Sequence, residues 1–317
     1  MTEVSVTQFN ILGGSFGTPD HFPYVKKQYL DWQFRRELIA KNATQYKSDI
    51  ICLQELDNYW EYFRKQFDNF GYESVFVARP SIQQTSWSKM QKQDGCGIFF
   101  NKDLFTLRQL QQVNYHDVHD RVGLVILLEF NKEKNKFLIV ATTHLYWNSA
   151  LVEDQLKELK ELEQAVLEML DSVKEKHGIE RNEIPYVITG DFNNTPSSPI
   201  YQYMVKEFLH DISPPKSAYS VYNKKQDDDK DEDLGLYEPE FTTVTNKRKH
   251  TIDYIWFSRN ILSVVELKSL GSEETHRAEA GDQDYIESAG DQAARGIPNS
   301  TNGSDHIPIC TVLKLTK

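Results

Sequence analysis

FLIVATTHLYWN, from Phe137 to Asn148, and YVITGDFNN, from Tyr186 to Asn194, decide how this chain folds. Each opens as an unbroken apolar run of strand length and closes on polar groups: His144 in the first, Asp191 and Asn193 in the second. Between them Leu156, Leu159, Leu162, Val166, Leu170 and Val173 recur at helical spacing, which predicts one long core-packed helix over residues 151–176, stopped by Gly178.

The same junction recurs along the chain. Asn10 closes an opening strand over residues 4–9, IICL precedes Gln54 and Glu55, Asp253 precedes YIWF, and Asp305 with His306 precedes IPICTVL. Charged and amide groups are expensive to bury unless paired or bound to a cation, so repeated strand-then-acid or strand-then-His junctions predict one shared pocket at a sheet edge.

Outward from these points, helices are expected over residues 28–46, 57–70 and 198–208. CGIFF, VGLVILLEF and KFLIVATTH read as successive strands with hairpin-like joints, NKEKNK being the clearest turn. Further strands are expected over residues 251–258, 263–270 and 307–315, with mobile surface loops near 213–239 and 271–303. The fold class predicted is α/β, a four-layer sandwich of two mixed β-sheets packed face to face and flanked by helices. The whole chain, 1–317, is expected to make a single catalytic domain.

Apolar residues make up 39% of the chain and aromatics 12%, enough for a sizeable core, so disorder of the whole chain is excluded. The net charge of −11 argues against a broad basic surface for nucleic acid, although it leaves room for an enzyme that grips one phosphodiester through a cation. Part of that charge sits in QDDDKDED, Gln226 to Asp233, read as a solvated loop. Cys52, Cys96 and Cys310 lie far apart in apolar runs, which predicts core thiols rather than a disulfide framework or a zinc site. No leader-like N-terminus and no apolar stretch near the roughly 18 residues of a membrane span are visible, so a cytoplasmic or nuclear protein without membrane contact is expected.

The residue types suit phosphoryl chemistry. Glu55, shared with Asn10, is placed to bind a hard cation such as Mg²⁺, which takes one or two carboxylates plus water and substrate phosphate; the alternative is an acid complementing a helix N-terminus. Asp191 and Asn193 alternate and are expected on one strand face, the acid orienting water and the amide stabilising phosphoryl oxygens; an Asx turn is the rival reading. His306 is expected to donate to the scissile phosphate and to be oriented by Asp253, with Asp305 beside it at the metal. His144 ends an apolar strand like the others, and a structural histidine is its alternative.

As a set these motifs resemble the endonuclease/exonuclease/phosphatase superfamily. DGCGIFF, THLYWN, GDFNNTPSS, EPEFTTVTN and IDYIWFS resemble in particular its carbon-catabolite-repressor-type branch, which includes mRNA deadenylases, nocturnin, the angel proteins and the mitochondrial 2′,5′-phosphodiesterase. The resemblance covers nearly the whole chain. It implies a Mg²⁺-dependent hydrolase, with Mn²⁺ as a substitute, in which Glu55 and Asn10 serve the metal, His144 and Asn193 the phosphate, Asp191 the water, and Asp253 with His306 the developing charge. The substrate expected is single-stranded RNA shortened from its 3′ end; the alternative is a small nucleotide such as NADPH or 2′,5′-oligoadenylate.

Two departures bear on substrate. Where deadenylases carry a proline and an aromatic that flank a base, this chain has Ser149 and Arg248; where the branch usually has Asn, it has Arg121. Arg248, Arg121, Trp147 and Asn148 are the substrate-binding residues expected here. A monomer is expected, and the leucine-rich repeats through which some deadenylases join their complex are not seen.

Overall fold

Runs of β-branched and aromatic residues flanked by turn formers produce two six-stranded sheets in the computed structural model, which describes residues 2–80, 94–116, 119–223, 235–271 and 296–316. The first sheet contains β1 (Glu3–Asn10), β2 (Ile50–Gln54), β3 (Tyr72–Ala78), β4 (Gly95–Asn101), β13 (Leu262–Leu267) and β14 (Ile309–Leu315), in the order β13-β14-β1-β2-β4-β3. The second contains β5 (Phe105–Asn114), β6 (Val122–Phe130), β7 (Phe137–His144), β8 (Tyr186–Asp191), β9 (Pro215–Ser217) and β12 (Asp253–Ser258), in the order β5-β6-β7-β8-β12-β9. A two-stranded ribbon joins β10 (Thr243–Val244) to β11 (Lys249–His250).

Each sheet is mixed: β1 and β2 run parallel, as do β7 and β8, while their other neighbours are antiparallel. Parallel neighbours need a crossover, and the helices supply it. Helices α1 (Lys27–Leu30) and α2 (Trp32–Thr44) lie between β1 and β2, and α4 (Val152–His177) lies between β7 and β8. Helix α4 ends where Gly178 turns left-handed at φ 69°.

The layers follow from which faces are apolar. Val6, Cys52, Ile98, Leu124, Ile126, Val140, Ile255 and Leu313 fill the space between the sheets. Leu159, Leu162, Val166 and Leu170 of α4, with Ile200 and Met204 of α5 (Pro199–Lys206), cover the outer face of the second sheet. Ile39 and Ala43 of α2, with Phe67 of α3 (Arg64–Asn69), cover the first. This is the expected four-layer α/β sandwich, and the three thiols are buried in it.

Several expectations need correction. The helix expected over 28–46 is broken at Asp31, whose carboxylate caps α2 by accepting from the Phe34 N–H at 3.1 Å. The helix expected over 57–70 opens as a wider π turn, Tyr59–Phe63, before α3. CGIFF and VGLVILLEF lie in different sheets, because the unread strand β5 intervenes. The loop expected near 213–239 carries β9 and α6 (Ala218–Asn223); QDDDKDED lies outside the described residues. Of the loop expected near 271–303, residues 272–295 lie outside them too, whereas 296–303 is packed structure, with Ile297 and Gly303 buried. Among the described residues no helix is long and apolar enough to cross a membrane.

Candidate active site

The registers of the two sheets carry the polar strand ends to one place. His144 is paired with Asp191 across β7 and β8, Asp191 with Asp253 across β8 and β12, and Asn10 with Gln54 across β1 and β2. Glu55 follows Gln54 directly. A cleft of about 620 Å³ opens over these ends, lined among others by Glu55, His144, Asp191, Asn193, Arg248, Asp305 and His306.

Asp191 is the hub. Its Oδ2 accepts from Asn10 Nδ2 at 2.9 Å and lies 3.5 Å from His144 Nε2 and 3.6 Å from His306 Nε2. Its Oδ1 accepts from the Asn193 N–H at 2.9 Å. That bond is an Asx turn: β8 stops at Asp191, and Asn193 turns left-handed at φ 52°, so the two do not alternate along one strand as expected. Phe192 does enter the core, and the Asn193 amide lines the cleft while donating to the Leu145 carbonyl at 2.9 Å.

Asn10 Nδ2 also faces Glu55 Oε1 at 3.4 Å, so one amide touches both carboxylates. Glu55 Oε2 accepts from the Gly13 N–H at 3.1 Å. Burial pushes the Glu55 carboxyl above its ordinary range even with Arg79 nearby. Burial likewise raises Asp191, to about 7, despite the opposing pull of His306.

His306 Nδ1 bonds Asp253 Oδ2 at 2.8 Å, the pairing expected from sequence. Asp253 Oδ2 accepts a second bond from the Thr242 hydroxyl at 2.6 Å. Against the cost of burial, Asp253, Asp305 and Asp191 together hold His306 protonated, its pKa raised to about 10. His144 goes the other way: burial, then Arg121 and Arg79, keep it neutral. The two histidines thus carry different charges on either side of Asp191.

Asp305 Oδ2 is engaged by Arg248 Nη2 at 3.0 Å, and its Oδ1 lies 4.0 Å from His306 Nε2. Arg248, Arg121 and Trp147 line the cleft, Trp147 with 62% of its surface exposed. Asn148 does not line it. Its side chain accepts from the Ala150 N–H at 3.1 Å, closing the turn into α4.

Donor chemistry decides where a cation fits. Asp191, Asp253 and His306 offer ligand atoms all within 4.8 Å of one another. A protonated His306 that donates to Asp253 already satisfies that trio. Glu55 has a half-buried carboxylate, weakly matched by the 3.4 Å contact to Asn10, and is held above its usual pKa. A carboxylate that lines a cleft and is only weakly matched by hydrogen bonds suits a hard divalent ion, so Glu55 fits the metal better.

Sequence reasoning missed the polar layer beneath. Gln54 Nε2 donates to Gln8 Oε1 at 2.7 Å and to Thr142 Oγ1 at 2.8 Å, and Gln8 Nε2 reaches Asp253 Oδ1 at 3.3 Å. Ser304 Oγ donates to the Asn10 carbonyl at 2.7 Å and accepts from the His306 N–H at 3.1 Å. The fully buried Arg35 of α2 donates to the carbonyls of Leu12, Gly303 and Gly13 at 2.7, 2.9 and 3.3 Å. Gln8 and Gln54 gave a signal: each is a polar residue on the strand face that Val4, Val6, Ile50 and Cys52 reserve for the core.

Known proteins share this fold. The chain is 28% identical to the CCR4-Not complex 3′-5′-exoribonuclease subunit Ccr4 of Aspergillus niger, an alignment that takes in 97% of this chain and 51% of that protein. The chain thus spans about half the length of that relative. ANGEL2, described as a 2′,3′-cyclic phosphatase and solved with adenosine-2′,3′-vanadate, superposes with a TM-score of 0.76 at 23% identity, covering 99% of this chain and 96% of that one. The human nocturnin catalytic domain superposes with a TM-score of 0.70 at 23% identity, covering 99% and 95%. At that identity these two likenesses speak to the fold. The model of the Endonuclease/Exonuclease/phosphatase family matches residues 7–306, from within β1 to His306, and the chain belongs to that family.

Proposed function

We propose that the chain is a Mg²⁺-dependent phosphodiesterase that shortens single-stranded RNA from its 3′ end and releases 5′-nucleotides. The observation that supports this most is the position of Asp191, within reach of a neutral His144, a protonated His306 and the amide that also touches Glu55.

Glu55, with Asn10 beside it, would hold the cation. A bound divalent ion supplies Lewis-acid polarisation of a phosphoryl oxygen. Asp191 takes the proton of the attacking water. Its pKa of about 7 places it at the edge of ionisation near neutral pH, where a general base works well. Among the described residues His144 has no hydrogen-bond partner at Nδ1, and as a neutral imidazole it donates one bond to the phosphate. Asn193 adds an amide donor. His306, charged and fixed through Nδ1 by Asp253, turns Nε2 toward Asp191 and stabilises negative charge growing on the phosphoryl group.

A second reading, hydrolysis of a small nucleotide such as NADPH or 2′,5′-oligoadenylate, is favoured by one feature: Arg248 lines the cleft and Ser149 does not, so the base clamp expected of a deadenylase is replaced by a cation. Aromatic stacking contributes about 1–3 kcal/mol per base, and its loss weakens a preference for poly(A). The proposal includes a single catalytic unit, a monomer and a cytoplasmic or nuclear location.

Purified protein with Mg²⁺ and end-labelled oligoribonucleotides, poly(A), DNA, NADPH and 2′,5′-oligoadenylate tests both readings. Stepwise shortening of RNA, lost in Asp191→Ala and His306→Ala, is the expected result. Phosphate release from NADPH, or cleavage of the 2′,5′ linkage, without RNA shortening would establish the second reading.

A further inference from the structure

Arg121 lies just before β6 and is 6% exposed, yet among the described residues neither its Nε nor its Nη1 finds a hydrogen-bond acceptor. It lines the cleft, and its guanidinium sits 5.8 Å over the Tyr146 ring. The neighbouring Arg79 shows what such a group ordinarily does. Arg79 Nη2 lies 2.6 Å from Asp94, and Arg79 Nη1 lies 3.9 Å from Asp120, the residue next to Arg121 in sequence. Asp94 and Asp120 therefore pair with Arg79, while Glu55, Asp120 and Glu158 act on Arg121 only through space. Buried guanidinium groups are normally paired, because an uncompensated charge away from water costs several kcal/mol. A buried guanidinium that lines a cleft with two of its nitrogens unmatched is suited to receive an oxyanion.

The topology says which oxyanion. Across the second sheet β6 is two strands from β8, so the start of β6 stands about 10 Å from the strand that ends in Asp191. The scissile group belongs over Asp191, Asn193 and His306, on the β8 and β12 side. We infer that Arg121 holds a second phosphate of the substrate, one linkage removed from the bond that is cut, and so selects nucleotides carrying two phosphoryl groups over those carrying one. The inference rests on the phosphodiesterase reading for which bond is cut; the binding preference itself is independent of turnover.

The test is calorimetric. Adenosine 3′,5′-bisphosphate and adenosine 5′-monophosphate are titrated with Mg²⁺ present into the Asp191→Asn protein, which blocks turnover, and into the same protein carrying Arg121→Gln or Arg121→Lys. The expected result is a bisphosphate bound at least about tenfold more tightly than the monophosphate, a ratio that falls to about twofold or less with Gln and is largely retained with Lys. A ratio near one in the Asp191→Asn protein, or one that survives Arg121→Gln, would overturn the inference. Arg121→Met replaces Gln should that variant not fold. RNA turnover by the unsubstituted protein is followed alongside, so that failure of the phosphodiesterase reading and failure of the Arg121 subsite give different results.

Discussion

Replacing Arg35 by Met should cost the metal-free protein about 3–5 kcal/mol, the usual penalty for breaking a buried charged network by removing one partner. Met fills much of the same volume, so the loss is electrostatic rather than a cavity. Three carbonyls, those of Leu12, Gly13 and Gly303, lose donors at 2.7, 3.3 and 2.9 Å. Bonds from a charged donor contribute about 1.5–3 kcal/mol each, but the desolvation of Arg35, which lowers its own pKa to about 10, takes back part of that sum. Lys should rescue less than half, since an ammonium cannot serve three carbonyls spread along a fork. The readout is the urea midpoint, converted with the slope of the transition. Because Arg35 ties the loop after β1 to the segment before Asp305, and Gly13 of that loop bonds Glu55, Mg²⁺ affinity should weaken in the same variant. A shift below about 1 kcal/mol with unchanged Mg²⁺ binding would show that the two loops hold themselves, and the reasoning would fail.

Other expectations follow from the same geometry. His306 has a folded pKa near 10 against 6.5 unfolded, so the native state binds more protons between those values; stability of the metal-free protein is fully present below 6.5 and should fall as pH rises toward 10, a slope that His306→Asn should flatten in pH-dependent denaturation. Asp191→Asn should lower kcat by about 10²–10⁴-fold while raising the thermal midpoint of the metal-free protein at pH 8, because Asp191 is raised to about 7 by burial and must be ionised there at a cost. Mg²⁺ at a hundred times its Kd should stabilise the protein by about 2.7 kcal/mol, and Glu55→Gln should abolish that gain; an unchanged melting shift would move the cation elsewhere. Gly190→Ala should destabilise by about 1–3 kcal/mol in the same melts, since its Cβ would fall near 2.4 Å from the Thr143 carbonyl oxygen on the neighbouring strand.

What the sequence made legible was the part with a period. The α4 stripe, the apolar runs of β2, β6, β7 and β8, and the polar residue closing each were readable because burial of those faces forces their composition. Two kinds of feature escaped. Strands β3 and β5 alternate too weakly, having exposed faces at a sheet edge, so YESVFVA and FTLRQLQQVN carry little apolar contrast. Arg35 looked like any charged residue on a helix, because its partners are backbone carbonyls, which leave no trace in composition. The segment 296–303 looked like a loop for the same reason: it is fixed by Asn299 and Asn302 side chains bonding nearby backbone, and by Tyr24 donating to the Ile297 carbonyl at 2.7 Å.

Of the four non-glycine residues that line the cleft with positive φ, Leu12, Glu55 and Asn193, at 53°, 52° and 52°, stand at strand exits, and Asp120, at 49°, stands before β6. Leu and Glu visit that region at a cost of about 1–2 kcal/mol each, whereas Asn tolerates it. The turns stand at the exits of β1, β2 and β8, where each chain must leave its sheet within one or two residues while presenting a side chain to the space between the sheets. A right-handed turn at Glu55 would carry its carboxylate away from Asn10, and one at Leu12 would displace the Gly13 N–H from Glu55 Oε2. The strain is offset by the two buried interfaces behind the strands, whose register fixes where each exit lies. The position of Glu55 is therefore a property of strand length: a one-residue slip of β2 against β1 would point it to the opposite face and remove it from the cleft, so the core pattern is the primary determinant of the proposed metal site.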